Sequence, residues 1–377
     1  MQIKAKKTKV DLVTGFLGAG KTTFILDYAS ELHKRGERIG IIENDFGAIN
    51  VDLMLLHREL GDRCRLEMVI GGDPDCHRRR LKTKLIAMGI DRYDRVIVEP
   101  SGVFDVEEFS DILYEEPLDH LLELNNVITV ADGEMLASGA YSESGRYLLA
   151  EQLTKAGMVL VSKAEDLAGS AEVNEDGEEA AEVYTEESPE DGIEPVETDT
   201  EEIPETGLDK ILRYMNASLE NVGCARRLGP EELILRSGSD ASEADKGTIG
   251  SISDGDMERL LSAGHRDYAY RKQPITEDGT FSSLFFFHPE LPEEPAEELM
   301  KRIFADPSCA GLMRVKGFVR YNAGHPAAEW LEINATREHT ELRPSPVGQP
   351  VLIAIGEGIS EKVIGSYLRS YENEYRA

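Results

Sequence analysis

The chain of 377 residues has four cysteines, Cys64, Cys76, Cys224 and Cys309, scattered and without a CxxC pair. That scarcity excludes both a disulfide framework and a thiolate zinc cluster, and makes free thiols the default. No run approaches the ~18 uninterrupted apolar residues of a membrane span, although apolar residues make up 41% of the sequence, enough for a sizeable core. The amino-terminal MQIKAKKTKV is basic but enters a strand pattern with no apolar signal core, so a cytoplasmic protein is expected. Positive charge is in deficit: 41 Lys and Arg stand against 72 Asp and Glu, a net −31. A field of that sign disfavours nucleic acid and anionic lipid as partners.

The charge is uneven. Residues 171–206 hold 16 Asp and Glu with no Lys or Arg, together with Pro189, Pro195 and Pro204. Such a composition cannot offset its ordering entropy by burial, and a disordered acidic insertion is expected over 170–206. Before it, short β-branched runs alternate with helical patterns. The runs are Lys9 to Thr14, Arg38 to Glu43, Arg95 to Glu99, Asn126 to Ala131 and Met158 to Ser162. Apolar strands separated by helices imply parallel βαβ connections, hence an α/β domain with a mostly parallel sheet covered on both faces. Its first part is expected at 1–169 and its remainder, with a linker, at 207–270, where Leu208 to Leu219 and Asp256 to Ala263 read as helices. A smaller α/β domain is expected at 271–377. It comprises strands at Phe281 to His288, Met313 to Tyr321, Trp330 to Thr336 and Val351 to Gly356, and helices at Pro295 to Ala305 and Ser360 to Tyr371.

The most specific motif is GFLGAGKTT, Gly15 to Thr23, which fits GxxxxGK[ST] directly after the apolar strand VDLVT and before a helix. Gly15, Gly18, Ala19 and Gly20 let the backbone wrap phosphate oxygens, while the helix start adds the positive end of its dipole. Lys21 then bridges the β and γ phosphates, Thr22 offers a hydroxyl to Mg²⁺, and Thr23 completes the loop. An acid at the end of a neighbouring strand is the expected complement. DRVIVEPSG supplies Glu99, and IIENDFG supplies Glu43, Asn44 and Asp45, of which Asp45 is the candidate for positioning water. A local turn is the alternative role for Asn44 and Asp45.

With TGFLGAGKTT, ENDFG and VEPSG in place, the chain resembles the CobW family of P-loop GTPases, whose relatives help deliver metals to nickel and cobalt enzymes. VITVADGE and EQLTKAGMVLVSKAEDL resemble that family's last two nucleotide-domain strands, and MRVKGFVRYN with WLEIN its carboxy-terminal domain. The resemblance implies GTP as substrate, Mg²⁺ as cofactor, slow hydrolysis, a client metalloprotein and a dimer interface as targets of the nucleotide switch. It also exposes two departures. Where NKxD is usual, the chain has Ser162, Lys163, Ala164 and Glu165, which keeps a carboxylate for guanine but loses the asparagine; Asp166 is a rival for the carboxylate role. Where CxCC is usual, it has Asp73, Asp75 and Cys76, with His77 next, a set that trades sulfur for oxygen at two positions. Zn²⁺ or Co²⁺ can still be held by Cys and Asp, while the following Arg78, Arg79 and Arg80 oppose a cation and offer candidate arginine fingers. Two other readings stay open: a nucleotide-gated scaffold without metal cargo, and an ATP-dependent enzyme.

Overall fold

A computed structural model describes residues 6–45, 51–70, 74–100, 106–164, 206–236, 252–272, 282–291, 295–320, 329–337 and 339–368. Residues 165–205, with Glu165, Asp166 and all but the last residue of the acidic stretch, and Asp73 lie outside the described residues.

In chain order the first part runs β1 Thr8–Gly15, α1 Lys21–Lys34, β2 Ile39–Asp45, α2 Val51–Leu60, β3 Cys64–Ile70, α3 Pro74–Ile90 and β4 Arg95–Pro100. There follow α4 Val106–Tyr114, α5 Leu118–Leu121, β5 Leu122–Asp132, α6 Gly133–Ser138, α7 Glu143–Lys155 and β6 Met158–Ser162. Beyond the acidic stretch come α8 Gly207–Asn221, β7 Leu233–Leu235 and α9 Asp254–Leu261. The seven strands form one sheet in the order β3-β2-β4-β1-β5-β6-β7, with every pairing parallel.

Period-2 alternation explains how the sheet is covered. Val13 of β1, Ile41 of β2 and Ile97 of β4 face a core shared with α1, α2 and α9. Val10 and Leu12 of β1, Ile42 and Val98 face the opposite core, built with α3, α4 and α5, while α6, α7 and α8 cover Val159 and Val161. Both faces are apolar, as continuous hydrophobic strands require. A buried polar group sets the register of β1. Its pairing with β5 shifts between Val10 and Asp11, and the Asp11 carboxylate fills the irregularity by accepting from the Asn126 amide at 3.1 Å and Asn125 Nδ2 at 2.8 Å. Tyr28 Oη donates to the same carboxylate at 2.7 Å, and Arg95 pairs with it from β4. Helix α9 and the segment after it close the far side, where the Val127 amide donates to the carbonyl of Gly264 at 2.9 Å.

The second sheet is antiparallel. It comprises β8 Ser282–Phe287, β9 Leu312–Arg320, β10 Trp330–Thr336, β11 Thr340–Ser345 and β12 Val351–Gly356, in the order β11-β10-β9-β12-β8. Helices α10 Ala296–Ala305 and α11 Glu361–Leu368 pack on one face through Leu299, Ile303, Ile364 and Leu368 against Val315, Ile333 and Leu352. The other face carries Phe318, Trp330, Val351, Ile353 and Ile355, and Leu17 from the loop after β1 packs there. Among the described residues no helix is long and apolar enough to cross a membrane.

Candidate functional site

Strand β1 is central, and its neighbours β4 and β5 belong to opposite halves of the sheet, so the loop that leaves its carboxyl end opens into the crevice where strand order reverses. The glycines of that loop are dictated by geometry. Gly15 has φ +150°, and a Cβ there would lie 2.3 Å from the Val130 carbonyl oxygen. Gly20, at φ +88°, stands at the start of α1. The Ala19 amide donates to the Phe16 carbonyl at 3.2 Å, which closes the turn.

Lys21, at the first position of α1, is 7% exposed. Its Nζ donates to the Phe16 carbonyl at 3.3 Å and lies 3.9 Å from Glu99 Oε1. Thr22 Oγ1 donates to the Glu99 carboxylate, with both oxygens at 3.4 Å. Residues 78 positions apart in sequence thus meet at one point: a buried ammonium, a hydroxyl and a strand-end carboxylate. Glu43 is also buried and stands beside Glu99 as its register partner across β2 and β4. Asp45, the candidate from the same run for positioning water, ends β2 two residues beyond Glu43. The side chain of Asp45, at the end of β2, lies outside the described set. The donors gathered here are all hard oxygens, a hydroxyl and carboxylates, which suits Mg²⁺.

The base-side residues are tied to the same loop. Ser162 Oγ, at the end of β6, donates to the Ala19 carbonyl at 2.8 Å. Lys163 takes a left-handed φ of 50°, and its Nζ donates to Asp132 Oδ2 at 2.6 Å. Asp132 is a residue that sequence reasoning missed. It ends β5, caps α6 by accepting from the Met135 amide at 3.1 Å, and fixes the Lys163 ammonium. The signal was the acid in ADGE before a short helix, an N-cap pattern. Thr23 is exposed on α1. Asp75 and Cys76 fall in the first turn of α3, with side chains outside the described set. Among the described residues no group of three or more His, Cys, Asp or Glu gathers as a metal site. Arg78 and Lys82 of α3 both pair with Glu115 beyond α4.

A parallel sheet whose central strand feeds a glycine loop and a helix that starts with a buried lysine defines a P-loop nucleotide-binding domain. Residues 9–189 match the family model described as CobW/HypB/UreG, nucleotide-binding domain, and this part of the chain is a CobW-family P-loop domain. Among curated proteins, the zinc chaperone YjiA of Escherichia coli (strain K12) is 32% identical over 173 residues, 43% of this chain and 51% of that protein. The zinc chaperone CobW of Sinorhizobium sp is 28% identical over 144 residues, 36% of this chain and 40% of that one. The matches thus span about half the length of these curated relatives or less. Among solved structures, that of Zn(II)-bound YjiA GTPase from E. coli aligns over 97% of this chain and 98% of its own, with 17% identity and a TM-score of 0.36.

Proposed function

We propose that the chain binds GTP with Mg²⁺, hydrolyses it slowly, and uses the nucleotide state to hand a transition metal to a client metalloprotein. The observation that carries this reading is the meeting of Lys21, Thr22 and Glu99 at the mouth of the glycine loop. Lys21 and the loop amides neutralise the terminal phosphates, and transition-state charge is stabilised by groups already in place before reaction. Thr22 and Glu99 hold Mg²⁺, which shields phosphate charge when bound. Asp45 orients the attacking water. Ser162, Lys163 and Glu165 form the base side, with the Glu165 carboxylate accepting from guanine and the Lys163 stem covering the ring. GTP/GDP exchange reshapes the strand ends and acts on a client or on a second copy of the chain in a homodimer.

The metal is cargo. Two curated relatives are named zinc chaperones, which favours Zn²⁺ over Co²⁺. Asp73, Asp75 and Cys76 are the proposed ligands in this chain. Their oxygen-rich chemistry also favours a second reading, a nucleotide-gated scaffold without cargo, because soft-ion affinity falls as thiolates are lost. Calorimetry with GTP, GDP and ATP in Mg²⁺, alongside turnover by wild type and Lys21→Ala, tests the nucleotide reading. It is overturned by equal turnover in the two proteins. Zn²⁺ titration of wild type and Cys76→Ser decides the cargo: a site lost in the variant supports metal delivery, and no difference supports the scaffold.

A further inference from the structure

The crown of the phosphate loop is covered by the carboxy-terminal sheet. A Cβ on Gly18 would lie 3.9 Å from Thr336 Cγ2 and 4.0 Å from Arg314 Cδ. Leu17, one residue earlier, packs with Phe318, Trp330, Ile353 and Ile355. Arg58 of α2 reaches across to Glu332 at 3.4 Å, and Ser142 donates to Glu357 at 2.7 Å, so the sheet touches the nucleotide domain at three places.

Strand register settles which groups share this face. Arg314 stands opposite Thr336, Lys316 opposite Asn334 and Phe318 opposite Glu332, and directly opposed residues of an antiparallel pair lie on one side. The face therefore carries Phe318 of β9 and Trp330 of β10, aliphatic residues of β12, the carboxylate of Glu332, and the cations Arg314 and Lys316 on β9. Arg314 Nε donates to Asn334 Oδ1 at 3.0 Å. That acceptor is neutral, so it orients the guanidinium without neutralising it. The side chain is half-buried, and Lys316 on the same face is 6% exposed. Arg314 and Lys316 thus share the face that covers the loop, with the carboxylate of Glu332 further along it, and Arg314 is the cation next to Gly18. A guanidinium is the group best shaped for phosphate oxygens.

We propose that Arg314 is a phosphate-contacting residue supplied in cis by the carboxy-terminal sheet, with Asn334 as its positioning residue. Its guanidinium takes the γ-phosphate oxygens of a bound triphosphate and has no such partner in the diphosphate. The sheet thereby distinguishes the two nucleotide states directly, through one side chain next to Gly18. This inference rests on the GTP reading above and assigns a phosphate-directed arginine to β9.

The test is calorimetry of the full chain with Mg²⁺ and either GDP or a non-hydrolysable GTP analogue, plus single-turnover GTP hydrolysis, for wild type, Arg314→Ala, Arg314→Lys and Asn334→Ala. The expected result for Arg314→Ala is a loss of about tenfold or more in affinity for the analogue with GDP affinity held within about twofold, and a slower single turnover. Arg314→Lys recovers part of the analogue affinity, and Asn334→Ala shows a smaller loss of the same selectivity. Retained GDP affinity reports that the variants are folded. Unchanged affinities for both nucleotides, or a parallel loss of both, overturn the proposal while leaving the GTP reading intact. Failure of wild type to bind either guanine nucleotide overturns both.

Discussion

Ser162 donates its hydroxyl to the Ala19 carbonyl at 2.8 Å, joining the end of β6 to the middle of the phosphate loop. The bond makes the base side and the phosphate side of the crevice a single mechanical unit. Ser162→Ala removes it, along with a weaker contact to the Ala131 carbonyl at 3.3 Å, while the Ala19 carbonyl keeps its place beside the loop. Loss of one such bond costs about 0.5–1.5 kcal/mol, so GDP affinity is expected to fall by roughly threefold to tenfold. Ser162→Asn, which restores the usual residue of the motif, is expected to stay near wild type. Calorimetry with GDP reads both outcomes, and an unchanged Ser162→Ala refutes the coupling.

Removal of the divalent ion gives a second prediction. Thr22 and Glu99 meet at 3.4 Å, and Glu99 is buried beside Glu43. Chelation with EDTA is expected to abolish turnover. Glu99→Gln is expected to lower turnover by about a hundredfold or more and to raise the Mg²⁺ concentration at half-maximal rate. A Mg²⁺ dependence identical to wild type in Glu99→Gln would exclude this carboxylate from the ion's shell.

Asp27 of α1 accepts from Arg236 Nη2, yet burial outweighs the arginine's charge and pushes its pKa from 3.8 up to about 6, with Lys34 a smaller opposing influence. Between about pH 4 and 6 the folded state therefore holds a proton here that the unfolded chain has released. Because the folded state binds more protons, the stabilisation from this group is complete below about pH 4 and is lost as pH rises through about 6. Asp27→Asn removes that slope. Its melting temperature relative to wild type is expected to rise by about 2–4 °C between pH 4 and 7. A constant difference across that range would contradict the assignment.

Arg95 and Asp11 are both buried, with Tyr28, Asn125 and Asn126 completing the shell of the carboxylate. Breaking such a pair from one side leaves a charge without compensation. Arg95→Met is expected to cost about 3–5 kcal/mol in urea unfolding, whereas Arg95→Met combined with Asp11→Asn recovers part of the loss. Equal destabilisation by the single and double variants would argue against a charge-based cost.

Much of this architecture was legible because its signals are local. The strands at Met158–Ser162, Trp330–Thr336 and Val351–Gly356 coincide with their apolar runs, and the glycine loop followed by a helix declares itself within nine residues. What escaped was set by distant partners. Strand β3, CRLEMVI, has charges at alternating positions that suit an edge, and β7 is three residues long. Strand β11 also lies at an edge and includes Pro344, which interrupts a strand pattern but is tolerated where no neighbour needs its amide. In the site, Lys21 and Thr22 were readable from the motif. The choice of Glu43 as the register partner of Glu99, and the approach of Arg314 to Gly18, depend on pairing between segments tens to hundreds of residues apart, which no local pattern encodes.

The parallel sheet is stitched from two lengths of chain. Strand β7 pairs with β6, α8 packs on α7, and Gly264 receives a bond from β5, although all three follow the acidic stretch. Strand β7 lies directly beside β6, so the two lengths of chain meet at one edge of the sheet. Growth, shrinkage or a proteolytic nick in the acidic stretch would therefore leave both pieces held by buried apolar surface. Cutting the gene at the end of the recognised nucleotide-binding module, by contrast, would strip the β6 edge bare and uncover the apolar side of α7.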